Sequence, residues 1–482
     1  MSSANVVEIT ESKKMIQYTS RVMDLQRKAF RSNPVPSLDE RQAWLKLLKQ
    51  TLLNNQKRIA DAINKDFGNR SADETRILEF LPSIQEIDHT QSELGSWMKP
   101  SRRHVTTLFL PASNTVHYKP KGVVGVIVPW NYPLLLAVGP MIGALAAGNR
   151  VFVKMSEFTP HFGMLFKELM EDTFPLDLVA VVLGEADVAA DFSSRAWDHL
   201  VFTGSTSVGR HVMRSAAEHL TPVTLELGGK TPAIIARDAT MTEAARRLVF
   251  GKSVNAGQTC IAPDYLLCPQ DKLDELLAEI KSQFAGMYPT IRDNKDYSSI
   301  INQRQYDRLK GLIDDASKKG ARLISVNPAQ EPLTRESGKI PLTLVLDGTN
   351  DMTVMQDEIF GPILPIVTYQ TLEEAVDYVN DRPRPLALYY FGHTRSEQEY
   401  VLDHTHSGGA CINDSLMHIA QSDMPFGGIG PSGMGHYHGH EGFLTFSHAR
   451  AVFKRQLVNT TRAIYPPYGT ALHSLFYKMF IR

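Results

Sequence analysis

Apolar residues three and four positions apart, with charges between them, dominate the first hundred residues. The stretch "DERQAWLKLLKQTLLNNQKRIADAINKDF" (39–67) is typical, and the spacing predicts amphipathic helices over 20–100. From 121 the period changes. Short β-rich runs at 123–128, 151–154, 179–183, 199–204 and 223–227 alternate with helical stretches at 134–148, 160–173 and 205–218. Alternation of this kind predicts a doubly wound parallel α/β sheet, with a ligand at the carboxyl ends of the strands. A second α/β series begins near Pro232: "PAIIA", "DYLLC", helices at 271–285 and 303–319, then "LTLVL" (342–346), "ILPIVTY" (363–369), "LALYYF" (386–391) and "GGACIN" (408–413). Two α/β units are therefore expected to meet near 227–232.

One run, 123–148, is 26 residues long without a charge. Its three prolines and four glycines divide it into a strand, a turn at 129–133 and a buried helix, so a membrane span is not expected. The final "ALHSLFYKMFIR" is apolar but short and interrupted by His473 and Lys478, and is read as at most packing on a neighbour. Composition narrows the function classes. Lys and Arg number 51 against 52 Asp and Glu, a net charge of −1, so no global field draws the chain to nucleic acid or anionic lipid. Three cysteines suit free thiols in a reducing compartment. The N-terminus lacks the basic and apolar regions of a secretory signal, and a cytoplasmic location is the default expectation.

Of the three thiols, Cys268 and Cys411 lie in apolar strands and read as small buried hydrophobes. Cys260, in "NAGQTCIAPDYLL", sits at a helix-to-strand turn among Gly257, Gln258, Thr259 and Pro263. That setting favours a reactive thiol. Glu226 ends the apolar strand "VTLEL" before two glycines, and reads either as a partner of Lys230 or as a semi-buried general base. Asn131, in "PWNYP", either organises a turn or donates its side-chain N–H to an oxyanion. "FTGSTSVGR" (202–210) follows a strand and opens a helix whose N–H groups can receive a pyrophosphate, although it satisfies neither the P-loop nor the G-x-G-x-x-G pattern. "KMSE" places Lys154 and Glu157 at a strand end where a ribose can be held. His436, His438 and His440 alternate in a Gly-rich segment without a closed ligand set, so no metal site is expected. "GPSGM" (430–434) lacks the final glycine of a nucleophile elbow.

Taken in order, "PWNYP", "KMSE", "FTGSTSVG", "LELGGK", "GQTC", "EIFGP" (358–362) and "PFGGIGPSGMG" (425–435) resemble the motifs of the aldehyde dehydrogenase superfamily over nearly the whole chain. The ending "GMGHYHGHEGFLTFSH" is similar to the class 3 branch, and the length to its bacterial coniferyl aldehyde type. The resemblance implies an α/β fold: a Rossmann-type cofactor domain (1–103 and 120–227), an α/β catalytic domain (228–415) and a small β oligomerisation element (104–119 and 440–460). It implies Cys260 as nucleophile, Glu226 as general base and Asn131 as oxyanion donor. It further implies NAD, with NADP possible, held by Trp130, Lys154, Glu157, Gly204, Ser205, Gly209, Glu358 and Phe360, with Tyr132 against the substrate. One departure is Met155, where the family commonly has proline. The implied reaction is oxidation of an aldehyde to a carboxylic acid, with a coniferyl-type aromatic aldehyde expected and a fatty aldehyde as the alternative. A CoA-acylating relative generally lacks the base that Glu226 matches, and a protein keeping only the fold would lack one of the three residues. The small aldehyde is the expected partner, with no nucleic acid and no membrane, and the chain is expected to form a homodimer.

Overall fold

The computed structural model describes residues 3–457, 461 and 464–481. Helices fill the first hundred residues. Leu38–Asn54 starts on a capping box, in which Ser37 Oγ accepts from the Glu40 N–H at 3.2 Å and the Glu40 carboxylate accepts from the Ser37 N–H at 2.6 Å. Its apolar stripe, Leu45, Leu48 and Leu52, is fully buried.

A six-stranded sheet runs in the order Gly433–Met434, Val223–Glu226, His199–Thr203, Val123–Ile127, Arg150–Lys154, Val179–Val182. All neighbours are parallel except the first pair. Helices cover it, so the central strands are buried on both faces, which explains their unbroken apolar runs. The connections run outward one way through Arg150–Lys154 and the other way through His199–Thr203. The topological switch point therefore lies between Val123–Ile127 and His199–Thr203, and their carboxyl ends open a crevice there.

A seven-stranded sheet follows: Arg322–Val326, Leu342–Leu346, Ile363–Tyr369, Tyr265–Pro269, Pro232–Ile235, Ala387–Phe391, Gly409–Ile412. Only the first pair is antiparallel. The uncharged run 123–148 becomes the strand Val123–Ile127 and the helix Leu135–Ala146. That helix stops two residues before the expected end, at a turn where Gly148 takes φ +89°. Among the described residues no helix is long and apolar enough to cross a membrane.

A third, antiparallel sheet holds Ser113–Pro120 between Ser101–Arg103 and Ser447–Lys454. Of the expected bridging segment 440–460, residues 458–460 lie outside the described residues. The helix Ala471–Phe480 caps itself through Thr470 and lies against Thr107 and Leu108, with Leu472, Leu475 and Met479 more than half exposed.

Candidate active site

A cleft of about 1110 Å³ opens at the switch point, between the six-stranded sheet and the loops of the seven-stranded one. Cys260, Glu226, Asn131, Trp130, Gly204, Ser205, Glu358 and Phe360 all line it. Residues far apart in the chain meet there because each stands at a strand end or in a loop beside a strand.

Cys260 is placed by an unusual turn. After the helix Met241–Ser253, Asn255 (φ 50°), Ala256 (φ 51°) and Gly257 (φ 72°) take three successive left-handed conformations. Only the glycine does so without cost, and a side chain at 257 would strike the carbonyl of Gly361. The strain of the other two is held by buried amides. Gln258 Nε2 donates to the carbonyls of Asn255 (2.9 Å) and Ser299 (3.0 Å), and its Oε1 accepts from the Ile301 N–H (3.0 Å). The result is a half-buried thiol at the cleft, while Cys268 is fully buried. Burial, then the charges of Glu358 and Glu226, push the Cys260 thiol up to about 12, against the pull of nearby backbone N–H groups. The third thiol departs from expectation: Cys411 is half-buried, with Sγ 3.1 Å from His418 Nδ1, because its strand lies at the edge of the seven-stranded sheet.

The alternatives for Glu226 are decided by Lys230. That ammonium pairs with Asp264 and donates to the carbonyls of Val354 (2.9 Å) and Asp357 (3.0 Å), while Asp264 accepts from the Ile359 N–H (2.9 Å). Lys230 thus anchors the "EIFGP" loop. Glu226 is 3% exposed, and neither carboxylate oxygen has a hydrogen-bond partner among the described residues. Burial alone drives its pKa well above the usual carboxylate range. A buried, unpaired carboxyl beside a thiol is poised to take a proton.

The Gly-rich segment 425–439 explains how Glu226 is covered. Gly433 pairs with Glu226 across the sheet edge, the Leu227 N–H donates to the Ser432 carbonyl (3.0 Å), and Gly433 at φ +146° leaves no room for a Cβ beside the Leu225 carbonyl. The neighbouring histidines face aromatic rings, His438 stacking on Phe426 at 5.6 Å and His440 on Phe443 at 6.4 Å.

The Asn131 amide is 3% exposed and donates to the Gln258 carbonyl at 3.2 Å, so the Asn131 and Cys260 loops are tied directly. One N–H of that amide is left for the cleft. Glu358 is held over Gly228, whose missing side chain makes the approach possible. Burial first, and Asp264 second, raise Glu358 to about 8. Phe360, at φ 51°, meets Trp130 edge to face at 5.3 Å.

The cleft suits a dinucleotide. The N-terminus of the helix Thr206–Ala217, capped by Ser205 Oγ accepting from the Val208 N–H (3.4 Å), opens onto it with its unpaired N–H groups. Glu358 Oε1 has no hydrogen-bond partner among the described residues, leaving an acceptor for a hydroxyl.

Four of the sequence-predicted residues do not line this cleft. Lys154 is buried, donating to the Gly184 carbonyl at 2.6 Å, with Glu157 3.5 Å away. Gly209 serves helix packing, since a side chain there would meet Leu227. Tyr132 is buried behind Asn131, with its hydroxyl 2.8 Å from Thr259 Oγ1. The cleft also contains residues that sequence reasoning missed. Arg308, donating to the Ile359 carbonyl at 2.7 Å, comes from a charged helix that reads as solvated, and Arg382 and Arg384 come from a loop with no motif.

Comparison with known proteins agrees with this geometry. The model of the "Aldehyde dehydrogenase family" matches residues 6–452. A probable coniferyl aldehyde dehydrogenase of Pseudomonas aeruginosa is 53% identical over 99% of this chain and 100% of that protein. The "Aldehyde dehydrogenase, dimeric NADP-preferring" of Rattus norvegicus is 38% identical over 92% of this chain and 96% of its own length. Among solved structures, the substrate-bound state of Staphylococcus aureus AldH is 33% identical, with a TM-score of 0.90 over 96% of this chain and 99% of that one. A Mycobacterium tuberculosis aldehyde dehydrogenase complexed with NAD+ is 29% identical, with a TM-score of 0.80 over 93% of this chain and 90% of that one. With a thiol, an unpaired buried carboxyl and a helix N-terminus meeting at one switch point, and with these likenesses spanning almost its full length, the chain belongs to the aldehyde dehydrogenase family.

Proposed function

We propose that the chain oxidises a coniferyl-type aromatic aldehyde to the carboxylic acid through a thioester on Cys260. The observation that carries this reading is the half-buried Cys260 thiol sharing one cleft with the unpaired, buried Glu226 carboxyl. The thiol adds to the aldehyde carbon, its proton passing to the carbonyl oxygen, while the free Asn131 N–H and the Cys260 backbone N–H bind that oxygen as charge develops. Bound NAD, or NADP, would supply the acceptor for the hydride that leaves the substrate carbon, while the adduct's hydroxyl proton passes to water in the cleft, leaving the thioester on Cys260. Trp130 and Phe360 bound the space for its ring, Glu358 accepts from a ribose hydroxyl, and Gly204 and Ser205 meet the pyrophosphate. Glu226 then takes a proton from water, and the hydroxyl so formed cleaves the thioester, returning the thiol and releasing the acid. Lys154 and Glu157 remain as the ribose clasp in this reading, reached from beyond the cleft described, with Gly209 supporting the pyrophosphate turn and Tyr132 the substrate side from behind Asn131.

The aromatic substrate is supported by likeness: relatives of 53% and 45% identity carry the coniferyl aldehyde dehydrogenase name, the second from a Pseudomonas species. NADH formation at 340 nm, measured with coniferaldehyde, benzaldehyde and an aliphatic series, each with NAD and with NADP, tests it. The expected result is a kcat/KM highest for coniferaldehyde with NAD. A profile rising with alkyl chain length overturns the aromatic reading.

A homodimer in the cytoplasm completes the proposal. It is supported by the exposed outer strands of the three-stranded sheet, where Phe453 is 49% exposed, and by the apolar face of Ala471–Phe480. Unpaired strand edges and apolar faces invite a second copy. Light scattering is expected to give twice the chain mass of 53.8 kDa. A monomer at working concentration contradicts it.

A further inference from the structure

Beneath the cleft lies a buried ionic cluster that the reaction steps above do not use. Arg70 is 1% exposed; its guanidinium meets the Asn131 loop directly and the turn before Cys260 through Glu74. Nη1 donates to the Asn131 carbonyl at 2.8 Å, the same oxygen that accepts from Asn255 Nδ2 at 3.0 Å. Nη2 forms an ion pair with Glu79 Oε1 at 3.0 Å, and Nε lies 3.6 Å from Glu74 Oε1. The face of the group lies over the rings of Tyr132 (4.8 Å) and Phe67 (5.1 Å). Both carboxylates reach onward. Glu79 Oε2 accepts from the N–H groups of Leu134 (2.8 Å) and Leu135 (3.2 Å), at the start of the helix that follows Asn131. Glu74 accepts from the Asn255 N–H (2.8 Å), within the strained turn before Cys260, and from Ser298 Oγ (3.1 Å).

The cluster has the marks of a built device. Glu79 sits in a π-helical turn, Arg76–Phe80, a costly departure from regular helix that re-aims the side chains it carries. Two acids and one base are taken out of water here and are held to each other by charge, since Arg70 Nε and Nη2 and Glu79 Oε1 have no hydrogen-bond partner among the described residues; stability alone does not require such a cost. Their hydrogen bonds end on the two segments whose relative position sets the distance from the Asn131 amide to the Cys260 thiol.

We propose that Arg70 is a positioning residue, which through Glu79 and Glu74 locks the Asn131 loop against the Cys260 turn and so fixes the oxyanion donor over the nucleophile. The inference rests on the roles given above to Asn131 and Cys260. Its action is on the transition state, because the segments it holds meet the oxygen as charge develops, while the dinucleotide surfaces at Ser205 and Glu358 are anchored independently.

Arg70→Lys tests this. Removing the cation outright would strand two buried carboxylates, whereas lysine keeps the charge but lacks the planar fork that spans the Asn131 carbonyl and Glu79 together. The expected result is a folded protein with NADH affinity, by fluorescence titration, within about twofold of wild type, aldehyde KM within about threefold, and kcat lower by about 10- to 100-fold, the loss a displacement near 1 Å produces. Hydrolysis of p-nitrophenyl acetate, which needs the thiol and an oxyanion donor but no nicotinamide, falls in parallel. A folded variant with kcat within twofold of wild type overturns the proposal. So does a loss confined to dehydrogenation with ester hydrolysis intact, or one matched by equal loss of NADH affinity. A wild-type enzyme inactive on every aldehyde would instead overturn the functional reading itself, so the two failures are distinguishable.

Discussion

Replacing Cys260 with serine is expected to lower kcat for aldehyde oxidation by roughly 10⁴-fold or more, while NADH affinity stays within about twofold of wild type. A serine hydroxyl is smaller, far less acidic and a weaker nucleophile than a thiol. Burial and the neighbouring carboxylates already push the Cys260 thiol up to about 12, and the same surroundings oppose an alkoxide more strongly. The dinucleotide surfaces are anchored elsewhere, Ser205 at the start of the helix Thr206–Ala217 and Glu358 in the loop held by Lys230. Steady-state NADH formation together with fluorescence titration checks both halves. Turnover within tenfold of wild type contradicts a role for the thiol in bond formation.

Glu226→Gln is expected to behave differently. The amide fits where the carboxyl stood but takes no proton, so thiol addition and hydride departure continue while hydrolysis of the thioester does not. A rapid-mixing trace should show a burst of NADH close to one equivalent per site, followed by a steady rate about 10² to 10⁴ lower than wild type. Because neither oxygen of Glu226 has a hydrogen-bond partner among the described residues, the substitution breaks no existing bond. A defect arising from misfolding would remove the burst as well. A steady rate equal to wild type takes Glu226 out of the base role.

Much of the fold is legible in the chain because buried parallel strands leave continuous apolar runs. "LTLVL" and "ILPIVTY" become the strands Leu342–Leu346 and Ile363–Tyr369 without adjustment. Boundaries slip where backbone turns decide, as at Gly148. The meeting of Cys260, Glu226 and Asn131 in one cleft is also legible, since each stands at a strand end or a loop beside one, where open α/β sheets gather their ligands. Lys230 could not be assigned from sequence: its partner Asp264 is 34 residues away, beyond a strand and a helix. Tyr132 follows Asn131 directly, yet its side chain turns to Thr259 and the guanidinium of Arg70, a contact that adjacency in sequence does not reveal. Arg70, Glu74 and Glu79 were the least legible. Charges at helical spacing ordinarily mark a solvated face, and only the tertiary fold buries these three beneath the site.

The proposed reaction passes through a covalent acyl group on Cys260. Mass spectrometry of Glu226→Gln, quenched in acid after its burst with NAD and coniferaldehyde, tests it most directly. The expected result is a mass gain equal to the coniferyl acyl group, with peptide mapping placing it on Cys260 and not on Cys268 or Cys411. A full NADH burst with no acyl adduct on Cys260 would contradict it.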